Sequence, residues 1–106
     1  MMDMVRAAKR ILDHYGQQKQ EVQAVQELSE LIVLLAARQD QRKGDYKDRI
    51  AEEIADSMIM LEQIRLANDI TLYTISENIE KKLKRQLDRI ANEACCNIQD
   101  GGAENG

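Results

Sequence analysis

The chain of 106 residues contains no proline, no phenylalanine and no tryptophan, and its aromatic residues are three tyrosines. Residues that favour strands are scarce, whereas Leu, Ala, Glu, Gln, Lys and Arg are abundant, which argues against an all-β or Rossmann-type fold. The length indicates one domain. No Gly-rich phosphate loop and no Ser/His/Asp or Cys/His arrangement can be recognised, so P-loop and nucleophilic mechanisms have no support.

The chain also lacks an excess of positive charge, since 15 Lys and Arg residues stand against 19 Asp and Glu, for a net charge of −4. Nucleic acid is therefore excluded as a main partner. The longest apolar run, residues 31–37, is far shorter than the roughly 20 residues that cross a bilayer, and no secretory leader is recognisable. We expect a cytoplasmic protein without a membrane partner, in which the adjacent Cys95 and Cys96 are reduced thiols.

Glycines divide the first half of the chain into two predicted helices. Asp3 is placed to cap a short helix that ends at Gly16. Between Gly16 and Gly44 lies a long segment without Gly or Pro that is rich in helix-forming residues. This composition predicts a second helix of the length found in helical bundles.

Two further helices are predicted in the second half. Gly44 and Asp45 are typical of a turn followed by a helix cap, and the third helix should end near Asn68. Asp69 is placed to cap the fourth helix. We expect a helical domain over residues 1–98 and a flexible polar tail over residues 99–106.

Four helices joined by short turns predict an all-α fold, an antiparallel four-helix bundle. In the third helix the predicted apolar stripe consists of Ile50, Ile54, Ser57, Met58 and Leu61. In the second helix, apolar residues extend well around the circumference, more than one neighbouring helix can cover. The sequence therefore predicts a homo-oligomer, a dimer or a tetramer.

Two pairs of acidic residues lie at the apolar sides of their predicted helices. Glu27 and Glu30 share a side of the second helix with Leu31 and should be partly buried, and Glu53 and Asp56 flank the stripe of the third helix and should face inward or nearly so. Residues three apart on a helix point toward one place, so two packed helices can bring four carboxylates together. Buried like charges repel unless a hard divalent cation neutralises them, so we expect Mg²⁺, with Mn²⁺ as the alternative.

Histidine-containing metal sites have little support. Di-iron bundles combine Glu ligands with Glu-x-x-His pairs, whereas the single histidine here, His14, follows Ile11 by three residues. His14 is interpreted as a residue at a helix end.

The two acidic pairs, Glu27-x-x-Glu30 and Glu53-x-x-Asp56, and the segments beside them resemble the signature of the MazG-like all-α nucleoside triphosphate pyrophosphohydrolases. The similarity covers residues 11–90. It implies an oligomeric helical bundle that binds Mg²⁺ through the four acidic residues, which are also the catalytic ones. It further implies an enzyme that cleaves a nucleotide between its α and β phosphates, releasing a nucleoside monophosphate and pyrophosphate.

The basic segment of the fourth helix is either a solvated face or a phosphate-binding edge. MazG-like proteins have a Lys-x-x-Arg element late in their last helix, which corresponds to Lys82 and Arg85 as substrate-binding residues. Some members have Asn and a second Arg where this chain has Glu80 and Gln86. Tyr46, Tyr73 and Arg49 are weaker candidates for a base pocket, each equally explained as an interface or helix-end residue.

The alternative to an enzyme is a helical interaction or oligomerisation module without chemistry. In that interpretation the acidic pairs form salt bridges with Arg49, Lys82 or Arg85. Charge-neutral replacement distinguishes the two hypotheses. In an enzyme, Glu53→Gln should abolish pyrophosphate release and keep or raise thermal stability, because repulsion is relieved. In an interaction module, the same change should mildly destabilise the protein and affect no turnover.

Overall fold

The computed structural model describes residues 2–40 and 46–99, with side chains for residues 2–38 and 46–95. This part of the chain consists of helices and turns without a strand, which confirms the all-α prediction. The helices are α1 (Met4–Tyr15), α2 (Gln17–Asp40), α3 (Lys47–Ala67) and α4 (Leu72–Gln99). The chain forms two compact units, Met1–Ile70 and Thr71–Gly106.

Helix α1 begins and ends as predicted. The Asp3 side chain caps it by accepting hydrogen bonds from the backbone N–H groups of Val5, at 3.0 Å, and Arg6, at 3.3 Å. Gly16 ends it with φ at 91°, a conformation that L side chains rarely adopt. The Gly16 N–H donates to the Leu12 carbonyl at 2.8 Å, so the chain turns directly into α2.

Helix α3 starts at Lys47 and ends at Ala67, with Asn68 as its C-cap residue. The predicted end near Asn68 is thus confirmed. The predicted turn and cap at Gly44 and Asp45 lie outside the described residues.

The cap predicted for α4 was wrong by two residues. Asp69 has φ at 55° and lies in the turn that follows α3, a left-handed conformation that Asp tolerates better than most residues. The hydroxyl of Thr71 accepts a hydrogen bond from the Thr74 backbone N–H at 3.1 Å and caps the helix instead. Thr fills this role as Asp does. In the second unit the side chains from Thr71 to Cys95 are exposed, and the predicted tail lies outside the description beyond Gln99.

In the first unit, α1 packs against α2 and α3, and α2 packs against α3. The core is small and contains the apolar side chains of Ala8, Leu12, Ala24, Leu34 and Met60. Four polar side chains are buried with them: Gln20, Ser57, Glu62 and Gln63. No helix in the described part of the chain is both long and apolar enough to cross a membrane.

The apolar stripe predicted for α3 was mostly wrong. Ile54, Met58 and Leu61 are exposed, whereas Ser57 is buried as a member of the face that also carries Met60 and Gln63. Apolar periodicity predicts which apolar residues share one side of a helix, but it does not predict that a polar side chain is buried. The face of α3 that packs inside the first unit is therefore the more polar one.

Contacts between α2 and α3 run in opposite chain order. Gln20, at the start of α2, donates a hydrogen bond at 2.8 Å to the side-chain oxygen of Gln63, near the end of α3. Ten residues farther along α2, Glu30 meets Glu53, ten residues before Gln63. Both contacts are separated by ten residues on each helix, so they belong to the same antiparallel register of α2 against α3.

Candidate functional site

Three of the four predicted acidic residues come together. Glu27 and Glu30 lie on successive turns of α2, and Glu53 projects from α3 toward them. One carboxylate oxygen of each lies within 4.8 Å of the others. We call this group the acidic cluster. Around an octahedral Mg²⁺ with Mg–O distances of about 2.1 Å, neighbouring oxygens lie about 3.0 Å apart and opposite ones about 4.2 Å apart. The limit of 4.8 Å is larger than both distances, so the three carboxylates lie near one another without being in coordination geometry.

The cluster is electrostatically strained at Glu53. Its Oε1 atom is buried, and no donor in the described residues lies within hydrogen-bond distance of it. The pKa of Glu53 is raised above its ordinary value, first by burial and then by the negative charges of Glu30, Asp56 and Glu27. A carboxylate oxygen of Glu30 lies near enough to share a proton with Glu53, which raises the pKa further. A proton or a cation relieves this arrangement.

The other cluster residues are more open than Glu53 Oε1. Glu27 is half-buried and accepts a hydrogen bond from the Gln23 amide at 2.9 Å. Glu30 is exposed, so the expectation that it is partly buried was wrong. It lies at the edge of the contact between α2 and α3, where its side chain reaches both solvent and Glu53.

Asp56, the fourth predicted ligand, is exposed and lies outside the acidic cluster. It follows Glu53 by three residues on α3, and its negative charge contributes to the raised pKa of Glu53. The structure therefore places Asp56 within electrostatic reach of the cluster without bringing its oxygens to the same point.

Within the described residues of the first unit, 2–38 and 46–70, none of the four acids has a Lys, Arg or His nitrogen within 4.0 Å. The salt bridges of the described residues join other side chains: Arg6–Asp3, Lys9–Asp13 and Arg65–Glu62 in the first unit and Lys84–Asp88 in the second. Glu62 makes the contrast clear, since it is buried like Glu53 Oε1 yet is paired with the Arg65 guanidinium. Arg49, the predicted ion-pair partner that belongs to this unit, makes no salt bridge with the acidic pairs in the described residues.

A cavity of about 530 Å³ opens beside the cluster between α2 and the start of α3. Glu30 and Glu53 form its acidic part, and Leu34 and Ala37 contribute an apolar wall. Tyr46 and Arg49, two of the weaker sequence candidates, also line it. The guanidinium carbon of Arg49 lies 5.9 Å from the centre of the Tyr46 ring. The cavity thus combines carboxylates, a cation and an aromatic ring.

The remaining candidates lie elsewhere in the chain. Lys82, Arg85 and Tyr73 are exposed on α4 in the second unit. His14 is in the last turn of α1, with its ring against that of Tyr15 at 4.6 Å, as expected for a helix-end residue. Cys95 is an exposed free thiol, and the side chain of Cys96 lies outside the description.

The sequence did not single out Gln26 and Ser29, which line the cavity. It also missed the buried amides of Gln20 and Gln63. All four are polar residues in helices, a pattern that ordinarily indicates a solvated face. Sequence spacing could have pointed to Gln20 and Gln63, because Gln20 precedes Glu30 by ten residues and Gln63 follows Glu53 by ten.

Comparisons of this chain with models of protein families, with curated proteins and with solved structures give no match.

Proposed function

We propose that this chain is a magnesium-dependent nucleoside triphosphate pyrophosphohydrolase of the MazG-like kind. The observation that carries the proposal is the acidic cluster: three carboxylates from two helices within 4.8 Å of one another, without a basic partner in the described residues of the first unit. Like charges held so close need a counterion or protons. The second support is Glu53 Oε1, which is buried without a donor.

The donor set fits the proposed ion. Glu27, Glu30 and Glu53 offer only carboxylate oxygens, the ligands that Mg²⁺ and Mn²⁺ prefer over nitrogen or sulfur. Asp56 is retained as the fourth predicted ligand because its charge already acts on Glu53. A bound Mg²⁺ would neutralise phosphate oxygens and lower the pKa of a water molecule.

The cavity beside the cluster supports a substrate larger than the ion. Its volume of about 530 Å³ lies in the range of roughly 300 to 1,000 Å³ that small-molecule sites occupy. We assign the phosphates to the side of Glu30 and Glu53 and the nucleoside to the side of Leu34 and Tyr46. The Arg49 guanidinium is then positioned to pair with a phosphate or to hydrogen-bond the base.

In the proposed reaction, a water oxygen forms a bond to the α-phosphorus while the bond from that phosphorus to the bridging oxygen breaks. The products are a nucleoside monophosphate and pyrophosphate. The roles of Lys82 and Arg85 in binding substrate phosphates remain predictions from the sequence. Replacement of both by Ala is expected to raise KM for the nucleotide.

We also propose that the chain assembles with further copies of itself as an antiparallel bundle. The reversed order of contacts between α2 and α3 supports the antiparallel arrangement. Exposed apolar side chains support assembly: on α2, Val22, Val25, Ile32 and Val33 are each 65–67% exposed. Exposed apolar surface of this kind marks interfaces. Sedimentation at micromolar concentration is expected to give a dimer or tetramer, and a monomer would contradict this proposal.

A panel of nucleoside triphosphates, assayed with Mg²⁺ for release of pyrophosphate, tests the enzymatic proposal. We expect one or more nucleotides to yield pyrophosphate and the monophosphate in equal amounts. Glu53→Gln removes the charge at the strained position and should abolish the release. Glu52→Gln, an exposed neighbour on α3 outside the cluster, is the matched control and should leave turnover unchanged.

The same assay separates the enzyme from the interaction module. Release of pyrophosphate by Glu53→Gln at the wild-type rate, or no release from any nucleotide, would overturn the proposal. A non-catalytic module is expected to lose stability on Glu53→Gln and to show no turnover in either form.

A further inference from the structure

The buried amide pair formed by Gln20 and Gln63 is the clearest polar feature of the core outside the acidic cluster. Gln63 is 2% exposed and Gln20 is 8% exposed. The Gln20 amide nitrogen donates to the Gln63 side-chain oxygen at 2.8 Å. The Gln63 nitrogen lies 3.8 Å from the Met60 sulfur, as a weak hydrogen bond. Two long polar side chains are thus placed inside an interface that apolar residues could fill.

Apolar packing alone does not define where α3 lies along α2. Ridges and grooves on a helix surface repeat every three or four residues, so a shift by one turn offers similar packing. A shift of this kind moves one helix about 5.4 Å along the other. A shift in one direction would place Glu53 across from Val33, away from Glu27 and Glu30, and a shift in the other direction would place it across from Glu27, so either shift changes which carboxylates meet at the cluster.

The amide pair distinguishes between these registers. After a shift by one turn, Gln63 would face residues near Gln17 or Gln23, but Gln20 would face residues near Met60 or Ala67, whose side chains cannot accept a normal hydrogen bond. A buried amide without a partner is strongly disfavoured. Single buried polar pairs fix helix register in this way in coiled coils.

We propose that Gln20 and Gln63 are positioning residues for the acidic cluster. Their hydrogen bond sets the register of α2 against α3, and the equal ten-residue steps on both helices transmit that register to Glu30 and Glu53. The pair touches neither a metal nor a substrate in this account. The positioning role concerns the carboxylates alone, and its effect on cation binding rests on the proposed function.

The test replaces both amides by the apolar side chain closest to Gln in shape, in Gln20→Met/Gln63→Met. Two properties are measured on the full chain: the NOEs between the γ-methylene protons of Glu30 and Glu53 without metal, and the association constant for Mg²⁺ by calorimetry. Gln18→Met, an exposed position on α2, controls for the added methionine.

We expect the double variant to unfold at the same temperature as the wild type or higher, because neither amide is left unpaired. We expect the NOEs to weaken and the Mg²⁺ association constant to fall about 10- to 100-fold, the range seen when groups that orient metal ligands are removed. Gln18→Met should change neither. Unchanged NOEs together with Mg²⁺ affinity within twofold of the wild type would overturn the proposal and leave the pair a packed polar contact.

Two further outcomes are distinguishable. If the wild type binds no Mg²⁺, the cation proposal fails, and the NOEs alone decide the positioning role. If the double variant does not fold, Gln20→Met is measured instead. Weakened NOEs in that single variant support the positioning role, and unchanged NOEs overturn it.

Discussion

Two contacts between α2 and α3 share one helix register but differ in charge: a pair of neutral amides and a group of carboxylates. At one, the neutral amides of Gln20 and Gln63 are buried and bonded to each other at 2.8 Å. At the other, Glu30 and Glu53 bring like charges together, and Glu53 Oε1 is buried without a donor in the described residues. Gln carries an NH2 group where Glu carries a carboxylate oxygen. The two Gln side chains can therefore hydrogen-bond to each other, whereas the two Glu side chains, when both are charged, cannot.

The difference indicates which place is structural and which is functional. Two side chains that hydrogen-bond to each other need no further partner, whereas neighbouring carboxylates repel each other until a cation or a proton binds to them. Natural sequences retain local conflicts chiefly where function needs them. This difference supports the two proposals, that the carboxylates bind a cation and that the amides set the register of α2 against α3.

The largest expected effect comes from neutralising the acids one at a time. Glu53→Gln should lower kcat/KM for the best nucleotide by about 100-fold or more. Asp56→Asn should have the smallest effect of the four, because Asp56 lies outside the cluster. Steady-state assays of Glu27→Gln, Glu30→Gln, Glu53→Gln and Asp56→Asn give the ranking. A larger loss in Asp56→Asn than in Glu53→Gln would contradict the site as drawn.

The second prediction concerns a variant in which both buried amides, Gln20 and Gln63, are replaced by carboxylates. Gln20→Glu/Gln63→Glu should lower the free energy of unfolding by about 3 kcal/mol or more at neutral pH, because it buries two like charges without a partner. The loss should shrink as the pH falls and the new carboxylates take up protons. Urea unfolding at several pH values measures both. Gln17→Glu/Gln18→Glu adds the same charge at exposed positions and should cost about 0.5 kcal/mol or less.

The third prediction concerns the pH dependence of the metal-free protein. The folded state raises the pKa of Glu53 above the ordinary value of 4.5, chiefly by burial, so it binds that proton more tightly than the unfolded chain does. The resulting stabilisation is complete below the unfolded pKa and is lost as the pH rises through the folded pKa. Thermal unfolding between pH 4 and 8 should show this decline in the wild type and a flatter profile in Glu53→Gln. Identical profiles would show that Glu53 is not strained.

The smallest expected effect is at Ser57, whose buried hydroxyl has no hydrogen-bond partner in the described residues. Ser57→Ala removes an unsatisfied polar atom without leaving another behind, so stability should stay constant or rise by about 1 kcal/mol at most. Chemical denaturation measures the change. A clear loss of stability would mean that this hydroxyl has a partner in solution.

The sequence predicted local features better than packed faces. Asp3 caps α1 with its own side chain, and Gly16 and Asn68 end their helices locally, so residue type alone predicted these helix ends. The choice between Asp69 and Thr71 as the cap of α4 depended on the left-handed backbone of Asp69, which residue type does not determine. The i, i+3 spacing predicted that Glu27 and Glu30 point the same way.

Contacts between helices were less predictable. The exposed Ile54 and Met58 were expected in the core because apolar periodicity treats every apolar position alike. Gln63 was missed because a buried Gln is stable only with a partner, and Gln20 lies 43 residues away in sequence. Spacing likewise could not decide that Glu53 enters the cluster while Asp56 stays outside it.

Titration calorimetry of the metal-free protein with Mg²⁺ shows whether the acidic cluster binds a divalent cation. We expect saturable binding that is lost in Glu53→Gln and kept in Glu52→Gln. Absence of binding in the wild type, or equal binding in Glu53→Gln, would contradict cation binding at the cluster.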